Sequence, residues 1–139
     1  MTLAMDVAGL TRFLDEVFPQ VAEDFVIEDL REHAVRVRLL VRETHLRPGG
    51  TVSGPAMFAL ADVAVYAMVL AMVGRKALAV TTNCSIDFMR KPEAGADLIA
   101  RGQLLKLGKM LAVGDVHMFS EGAPALVARA TLTYAIPPK

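Results

Sequence analysis

The stretch AMFALADVAVYAMVLAMV, residues 56–73, decides the fold of this 139-residue chain. Wound as a helix it is apolar on every side, and Asp62 carries its single charge. Pro55 suits the first turn of a helix, and Ser53 or Gly54 can cap that turn. The stretch therefore predicts a buried central helix. A lone carboxylate inside such a helix is costly unless it is paired or has a chemical role.

The composition is that of a globular protein rather than a disordered one. Hydrophobic residues make up 54% of the chain, and 15 Lys and Arg balance 15 Asp and Glu, so no overall field attracts nucleic acid. Cys84 is the only cysteine, which excludes an intramolecular disulfide and suits a cytoplasmic protein. We expect one domain over residues 1–139, with a helical segment at 1–22 and no signal peptide.

The apolar stretch is also near the lower length limit for a membrane span. An acid near the middle of a span costs about 2.5–3.5 kcal/mol on insertion scales, and the sequence offers no second span. We therefore expect a core helix of a soluble protein, with neither membrane nor nucleic acid as a partner.

The rest of the chain predicts an α+β fold. Residues 5–18 have helical spacing, and residues 34–42 alternate between apolar side chains and arginines, as in a half-buried strand. Further strands are predicted at 78–90, 97–107, 110–120 and 125–135, with a tight hairpin at Gly108-Lys109. Short connections favour an antiparallel sheet. One side of the central helix can pack on this sheet, and the other needs a second layer, which a two-fold related copy supplies.

Alternation in the predicted strand 78–90 assigns its side chains to two faces. Val80, Cys84 and Phe88 fall on the apolar face, whereas Thr81 and Asp87 fall on the polar face. We therefore expect Cys84 to be a core thiol.

Metal and nucleotide chemistry find no support in the sequence. His33, His45 and His117 lie on separate segments without the spacing of metal ligands. The glycine spacing matches neither a phosphate-binding loop nor a dinucleotide fingerprint. We expect no metal and no cofactor.

Residues 47–62, Arg-Pro-Gly-Gly-Thr-Val-Ser-Gly-Pro followed by six small or apolar residues and Asp62, carry a resemblance. They resemble the signature of the hotdog-fold acyl-CoA thioesterases of the PaaI-like branch, Asn-x-x-Gly-x-x-His-Gly-Gly, six such residues and Asp. Residues 79–92 and the Gly108-Lys109 hairpin also fit, so the resemblance covers about residues 34–135. It implies a long helix wrapped by an antiparallel sheet, a homodimer or dimer of dimers, and hydrolysis of an acyl-CoA thioester.

The resemblance also implies roles for individual residues. Asp62 falls on the catalytic carboxylate of the family, Gly54 on the residue whose N–H polarises the thioester carbonyl, and Thr81 on a hydroxyl residue that holds the water. Arg47 stands where the family has Asn, and Ser53 stands where it has His. Pro55 replaces the second Gly.

Other residues are candidates for substrate binding. These are Arg47, Ser53, Pro55, Phe58, Tyr66, Arg90, Lys91 and Lys109. The apolar members are expected to line the acyl pocket, and the cations to hold CoA phosphates or a carboxylate of the substrate. Each candidate also has a purely structural interpretation. Ser53 can be only a helix cap, the glycines of the loop can be only turn formers, Thr81 can be an ordinary strand residue, and the cations can be solvated surface charges.

The spacing between Gly54 and Asp62 limits how they can cooperate. Eight residues along one helix separate them by about 12 Å, which is too far to act on one carbonyl. Two antiparallel helices across a dimer axis would bring Gly54 of one protomer to Asp62 of its partner. The oxyanion donor would then be a helix N-terminus, where the dipole favours negative charge.

Alternatives to this mechanism stay open. Asp62 can act as a general base on water or attack the thioester directly, or it can be a structural acid bonded to the backbone or to Thr81. The departures at Arg47 and Ser53 favour a non-catalytic acyl-CoA sensor as a rival. A hotdog dehydratase or hydratase is a weaker rival, because His45 is its only nearby histidine.

Overall fold

A long helix lies against one six-stranded antiparallel sheet in the computed structural model, which describes residues 2–138. In chain order the elements are α1 (Val7–Val17), α2 (Pro19–Ala22), β1 (Phe25–Arg31), β2 (Ala34–Leu39), a 3-10 turn (Glu43–His45), α3 (Gly54–Val73), β3 (Val80–Phe88), β4 (Leu98–Leu107), β5 (Leu111–Ser120) and β6 (Ala128–Ala135). The strand order across the sheet is β1-β2-β4-β5-β6-β3. The predicted α+β architecture is therefore confirmed.

The ends of α3 are fixed by the residues that the sequence indicated. The Ser53 hydroxyl accepts a hydrogen bond from the Ala56 N–H at 3.3 Å, and the Gly74 N–H donates to the Leu70 carbonyl. Gly74 has a φ of 92°, a conformation in which glycine carries no steric penalty. The central helix thus begins and ends where its caps allow.

The two halves of α3 differ in their cover. Every residue from 63 to 72 is buried, partly because the N-terminal segment packs there and the Ala4 N–H donates to the Ala71 carbonyl. In the first half, Pro55, Phe58 and Asp62 stay open along one stripe. The expectation that one whole side of the helix needs a partner is therefore wrong for its second half. The helix is long and apolar enough to cross a membrane, but it is mostly buried within the fold, as in a core helix.

Strand β1 was not predicted. It pairs with β2, and its register shifts between Ile27 and Asp29, so its inward and outward positions do not alternate along the sequence. The predicted strand 34–42 is shorter than expected and ends at Leu39. The hairpin between β4 and β5 is confirmed, with Met110 as a third residue in its turn.

Two glycines let the helix approach the sheet closely. A Cβ placed on Gly114 of β5 would lie 2.9 Å from Val65 Cγ2, and one on Gly102 of β4 would lie 2.8 Å from Met68 Cε. Both distances are shorter than real Cβ contacts allow, so the glycines set the depth at which α3 and Asp62 sit.

We predict that Gly114→Ala lowers the free energy of unfolding by about 1–3 kcal/mol through overpacking. The branched side chain of Val65 cannot turn away, whereas the end of Met68 is flexible, so Gly102→Ala is expected to cost less. Urea unfolding at one fixed protein concentration measures both variants. Equal stability of Gly114→Ala and wild type would contradict the close packing described here.

Candidate active site

Asp62 is half-buried on α3, and two hydroxyl groups hold its carboxylate. The Thr81 hydroxyl donates to Asp62 Oδ1 at 2.5 Å, and the Tyr134 hydroxyl donates to the same oxygen at 2.7 Å. The Tyr134 hydroxyl also lies 3.1 Å from the Asp62 main-chain carbonyl oxygen. The charge that the sequence left alone in an apolar helix is therefore paired with hydrogen-bond donors from two strands.

A β-bulge turns Thr81 toward Asp62. Thr81 pairs with Tyr134 and Cys84 pairs with Leu132, and the register shifts between Thr81 and Asn83. Because directly paired residues point to one side of a sheet, Thr81 and Cys84 share the inner face. The prediction that Thr81 lies on the polar face of its strand is therefore wrong. The prediction for Val80 is wrong in the opposite sense: it was expected on the apolar face, but it pairs with Ala135 on the outer face.

Tyr134 is the contact of Asp62 that sequence reasoning missed. The pattern of the last strand placed it inward among apolar residues, and it is indeed almost fully buried. The available signal was its hydroxyl, because a buried tyrosine needs a hydrogen-bond partner. Burial, together with the charge of Asp62, raises the pKa of Tyr134, so that it stays a protonated donor.

A cavity of about 400 Å³ opens beside Asp62. Three aromatic rings contribute to its wall: Phe18 packs edge-on against Tyr66 at 5.9 Å, and Tyr66 lies 6.0 Å from Tyr134. The Tyr66 hydroxyl donates to the Ala77 carbonyl, and burial raises its pKa. Asp62 is the only charged residue in this lining, so the space suits a neutral, apolar group.

Cys84 lies on the inner face of β3. Its side chain is partly buried against the core. Burial and the negative charge of Asp62 both raise the pKa of the Cys84 thiol. Since the thiolate is the reactive form, this surrounding disfavours cysteine chemistry.

The N-terminus of α3 keeps one free donor. Pro55 has no N–H, the Ala56 N–H donates to the Ser53 hydroxyl, and the Met57 N–H donates to the Ser53 carbonyl. The Ser53 N–H donates to the His45 carbonyl. Within residues 2–138, this leaves the Gly54 N–H as the unused donor of the first turn, where the helix dipole attracts negative charge.

A second cavity, of about 290 Å³, surrounds Gly54. Arg47, Arg90 and Lys91 contribute cations to its wall, and no acidic residue lines it. The ring of Phe88 packs close to the glycine: a Cβ placed on Gly54 would lie 3.5 Å from Phe88 Cζ. The cavity therefore combines positive charge with a free backbone donor, which suits an anionic or developing negative group.

The protomer thus holds two separate half-sites. The Asp62 cavity and the Gly54 cavity share no lining residue, and eight helical positions separate Asp62 from Gly54 by about 12 Å. Of the predicted substrate-binding residues, Tyr66 lines the first cavity. Phe58 is partly exposed on the open stripe of α3, and Lys109 lies in the β4–β5 turn, outside both cavities.

Neither the groove beside α1 nor the metal-ligating residue types suggest a second active site in the described residues. A larger groove of about 680 Å³ lies between α1 and the end of α3, away from Asp62. Its Arg75 is paired with Glu16 and stacks on Phe13, so the charge there is already balanced. In the part of the chain that the structure describes, no cluster of His, Cys, Asp and Glu could hold a metal ion.

Known proteins resemble this chain in sequence and in fold. A profile of the thioesterase superfamily matches residues 49–126, which is more than half of the chain. A crystal structure from Silicibacter sp. TM1040, provisionally named a thioesterase, is 62% identical, covers 99% of this chain and 96% of its own, and has a TM-score of 0.93.

Two further solved structures are more distant. The phenylacetic acid degradation protein PaaI from Thermus thermophilus, solved as a point mutant, is 31% identical over 86% of this chain and 99% of its own, with a TM-score of 0.74. A hypothetical thioesterase from Streptococcus pneumoniae, solved with coenzyme A, is 25% identical over 84% of this chain and 91% of its own, with a TM-score of 0.73.

The fold, the family profile and the identity to these structures agree with one another. The helix wrapped by an antiparallel sheet is the hotdog fold, as the resemblance implied. The chain therefore belongs to the thioesterase superfamily, as a hotdog-fold thioester hydrolase with a PaaI protein among its relatives.

Proposed function

We propose that this thioesterase hydrolyses an acyl-CoA to the free acid and CoA, in a site that two protomers build together. One observation carries the proposal: the protomer presents a carboxylate in one cavity and a free helix N-terminal donor in another, about 12 Å apart. Each half lacks what the other has. The coenzyme A bound to the Streptococcus pneumoniae relative supports CoA as the carrier.

The exposed edge of the sheet supports a homodimer. Strand β3 is the last in the sheet order, and its Val80 and Phe88 are exposed although they lie on opposite faces. An unpaired edge with apolar side chains invites pairing with another strand. Two copies joined at β3 around a two-fold axis would extend the sheet and set the open stripes of their α3 helices against each other. Antiparallel α3 helices would bring Gly54 near the Asp62 of the partner.

The charges of the two cavities support an orientation for the substrate. CoA carries phosphates, so its end of the molecule belongs with Arg47, Arg90 and Lys91 in the Gly54 cavity. The acyl group belongs in the neutral aromatic cavity beside Asp62. Lys109 lines neither cavity of its own protomer and remains a candidate for contacting the phosphates of a CoA molecule bound in the Gly54 cavity of the partner.

The chemistry then follows from the two half-sites. The Gly54 N–H donates to the thioester oxygen and stabilises the charge that develops there. Asp62 takes a proton from a water molecule, whose oxygen bonds to the carbonyl carbon; the C–S bond then breaks, and the proton passes to the CoA sulfur. Because Thr81 donates its own proton to Asp62, its oxygen is free to accept a hydrogen bond from the water. No cofactor enters this scheme, and a single free cysteine agrees with a cytoplasmic location.

The two rival functions, a dehydratase and an acyl-CoA sensor, differ in how well they fit this geometry. A dehydratase would need a histidine at the site, but His45 accepts a hydrogen bond from the Arg42 N–H and lies 3.3 Å from Asp24, and it lines neither cavity. An acyl-CoA sensor would use the same cavities without turnover. The departures from the family signature at Arg47 and Ser53 favour the sensor as a rival function. An activity assay separates a sensor from a thioesterase.

We predict that Asp62→Asn lowers kcat by about 10²–10⁴-fold on the best substrate, because the general base is lost while the cavity is kept. Thiol release from a panel of straight-chain, branched and aromatic acyl-CoAs measures it. Asp87→Asn is the matched control, since Asp87 is on the outer face of β3 and pairs with Arg129. No turnover of any acyl-CoA by wild type, with tight CoA binding, would support the sensor, and equal turnover in the variant would exclude Asp62 as the base.

We predict that Gly54→Pro lowers kcat at least about 10²-fold relative to Gly54→Ala, because only proline removes the N–H donor. Proline is tolerated at the first helical position, and Ser53, with φ −76° and ψ 159°, is already in the conformation that precedes a proline. Both variants add a Cβ near Phe88, so they share the steric change. Similar activity of the two variants, with similar stability, would exclude the Gly54 N–H as the oxyanion donor.

A further inference from the structure

We propose that Tyr134 is a positioning residue for Asp62, which fixes Oδ1 together with Thr81 and leaves Oδ2 as the oxygen that reacts. This inference rests on the proposed thioesterase mechanism. It assigns a role to a residue on the last strand that neither the sequence signature nor the two half-sites required.

The hydrogen bonds of Asp62 are asymmetric. Both hydroxyls, of Thr81 and of Tyr134, donate to Oδ1, at 2.5 and 2.7 Å. Among the residues that the structure describes, none donates to Oδ2. No buried side-chain oxygen or nitrogen of these residues lacks a hydrogen-bond partner, so Oδ2 is not buried. Oδ2 is therefore accessible to solvent. An oxygen with two strong donors is a poorer proton acceptor than one with none, so the water binds and loses its proton at Oδ2.

Tyr134 also restrains the rotation of the carboxylate. Its hydroxyl lies within 3.1 Å of the Asp62 main-chain carbonyl as well as 2.7 Å from Oδ1, so it links the side chain to its own backbone. The ring of Tyr134 is buried and lies against Tyr66, which keeps the hydroxyl in place. A carboxylate held at Oδ1 and tied to its own main-chain carbonyl presents Oδ2 in one direction, as a general base aimed at a water must.

The surroundings keep the phenol a donor. Among the described residues, the titratable groups near Asp62 are Tyr134 on β6, Cys84 on β3 and Tyr66 on α3 itself, and no cation lines the Asp62 cavity. Removing the Tyr134 hydroxyl therefore leaves Thr81 as the one described donor to Asp62 Oδ1, and no neighbouring positive charge replaces the lost contact.

We expect Tyr134→Phe to lower kcat about 10- to 100-fold, with KM for the acyl-CoA within about twofold of wild type. Thr133→Val, the next residue of β6 on its outer face, controls for loss of a hydroxyl from the strand. It should change neither kcat nor KM.

Two further variants separate positioning from structural support. Thr81→Val removes the other donor to Oδ1, so its effect and that of Tyr134→Phe should be coupled rather than additive. In an Asp62→Asn background, Tyr134→Phe should have no further effect on kcat. A wild-type kcat in Tyr134→Phe would overturn the proposal, as would an equal loss in the Asp62→Asn background. Turnover lost in Tyr134→Phe but retained by Asp62→Asn would instead exclude the proposed function itself.

Discussion

The structure depends on how one carboxylate is accommodated in an apolar helix. Asp62 is half-buried beside aromatic rings, where an unpaired charge would be costly. Two strands resolve this cost by placing the hydroxyls of Thr81 and Tyr134 against the same oxygen. That placement requires the β3–β6 register, the bulge that follows Thr81, and the close approach of helix and sheet at Gly102 and Gly114. The features of the sheet therefore serve the orientation of one side chain.

The rise of the helix imposes the second constraint. Gly54 and Asp62 lie in the same helix, and their separation of about 12 Å cannot be shortened without breaking it. The free N–H and the carboxylate consequently lie in different cavities, one bordered by cations and the other neutral. A partner protomer resolves this separation in the proposed mechanism. The same partner would cover the exposed β3 edge and the open stripe of α3.

The sequence predicted the features that follow regular periodicity and failed where the backbone departs from it. The central helix, its caps at Ser53 and Gly74, and five of the six strands were readable from spacing. Strand β1 was missed because a bulge after Ile27 breaks its alternation. The bulge after Thr81 likewise put Val80 and Thr81 on the faces opposite to those predicted, whereas Cys84 and Asp87 lie where the alternation placed them. Asp62 was evident as a misplaced charge, but its partner Tyr134 lies 72 positions away, and only the register of β6 brings them together.

Mixing two inactive variants tests the shared active site most directly. A protomer with Asp62→Asn keeps a normal Gly54, and one with Gly54→Pro keeps a normal Asp62, so each heterodimer contains one intact composite site. After subunit exchange at equal concentrations, we expect about a quarter of wild-type thioesterase activity, because half the dimers are mixed and one of their two sites is complete. If the mixture stays as inactive as the separate variants although exchange has occurred, each protomer holds its own complete site and the account is wrong.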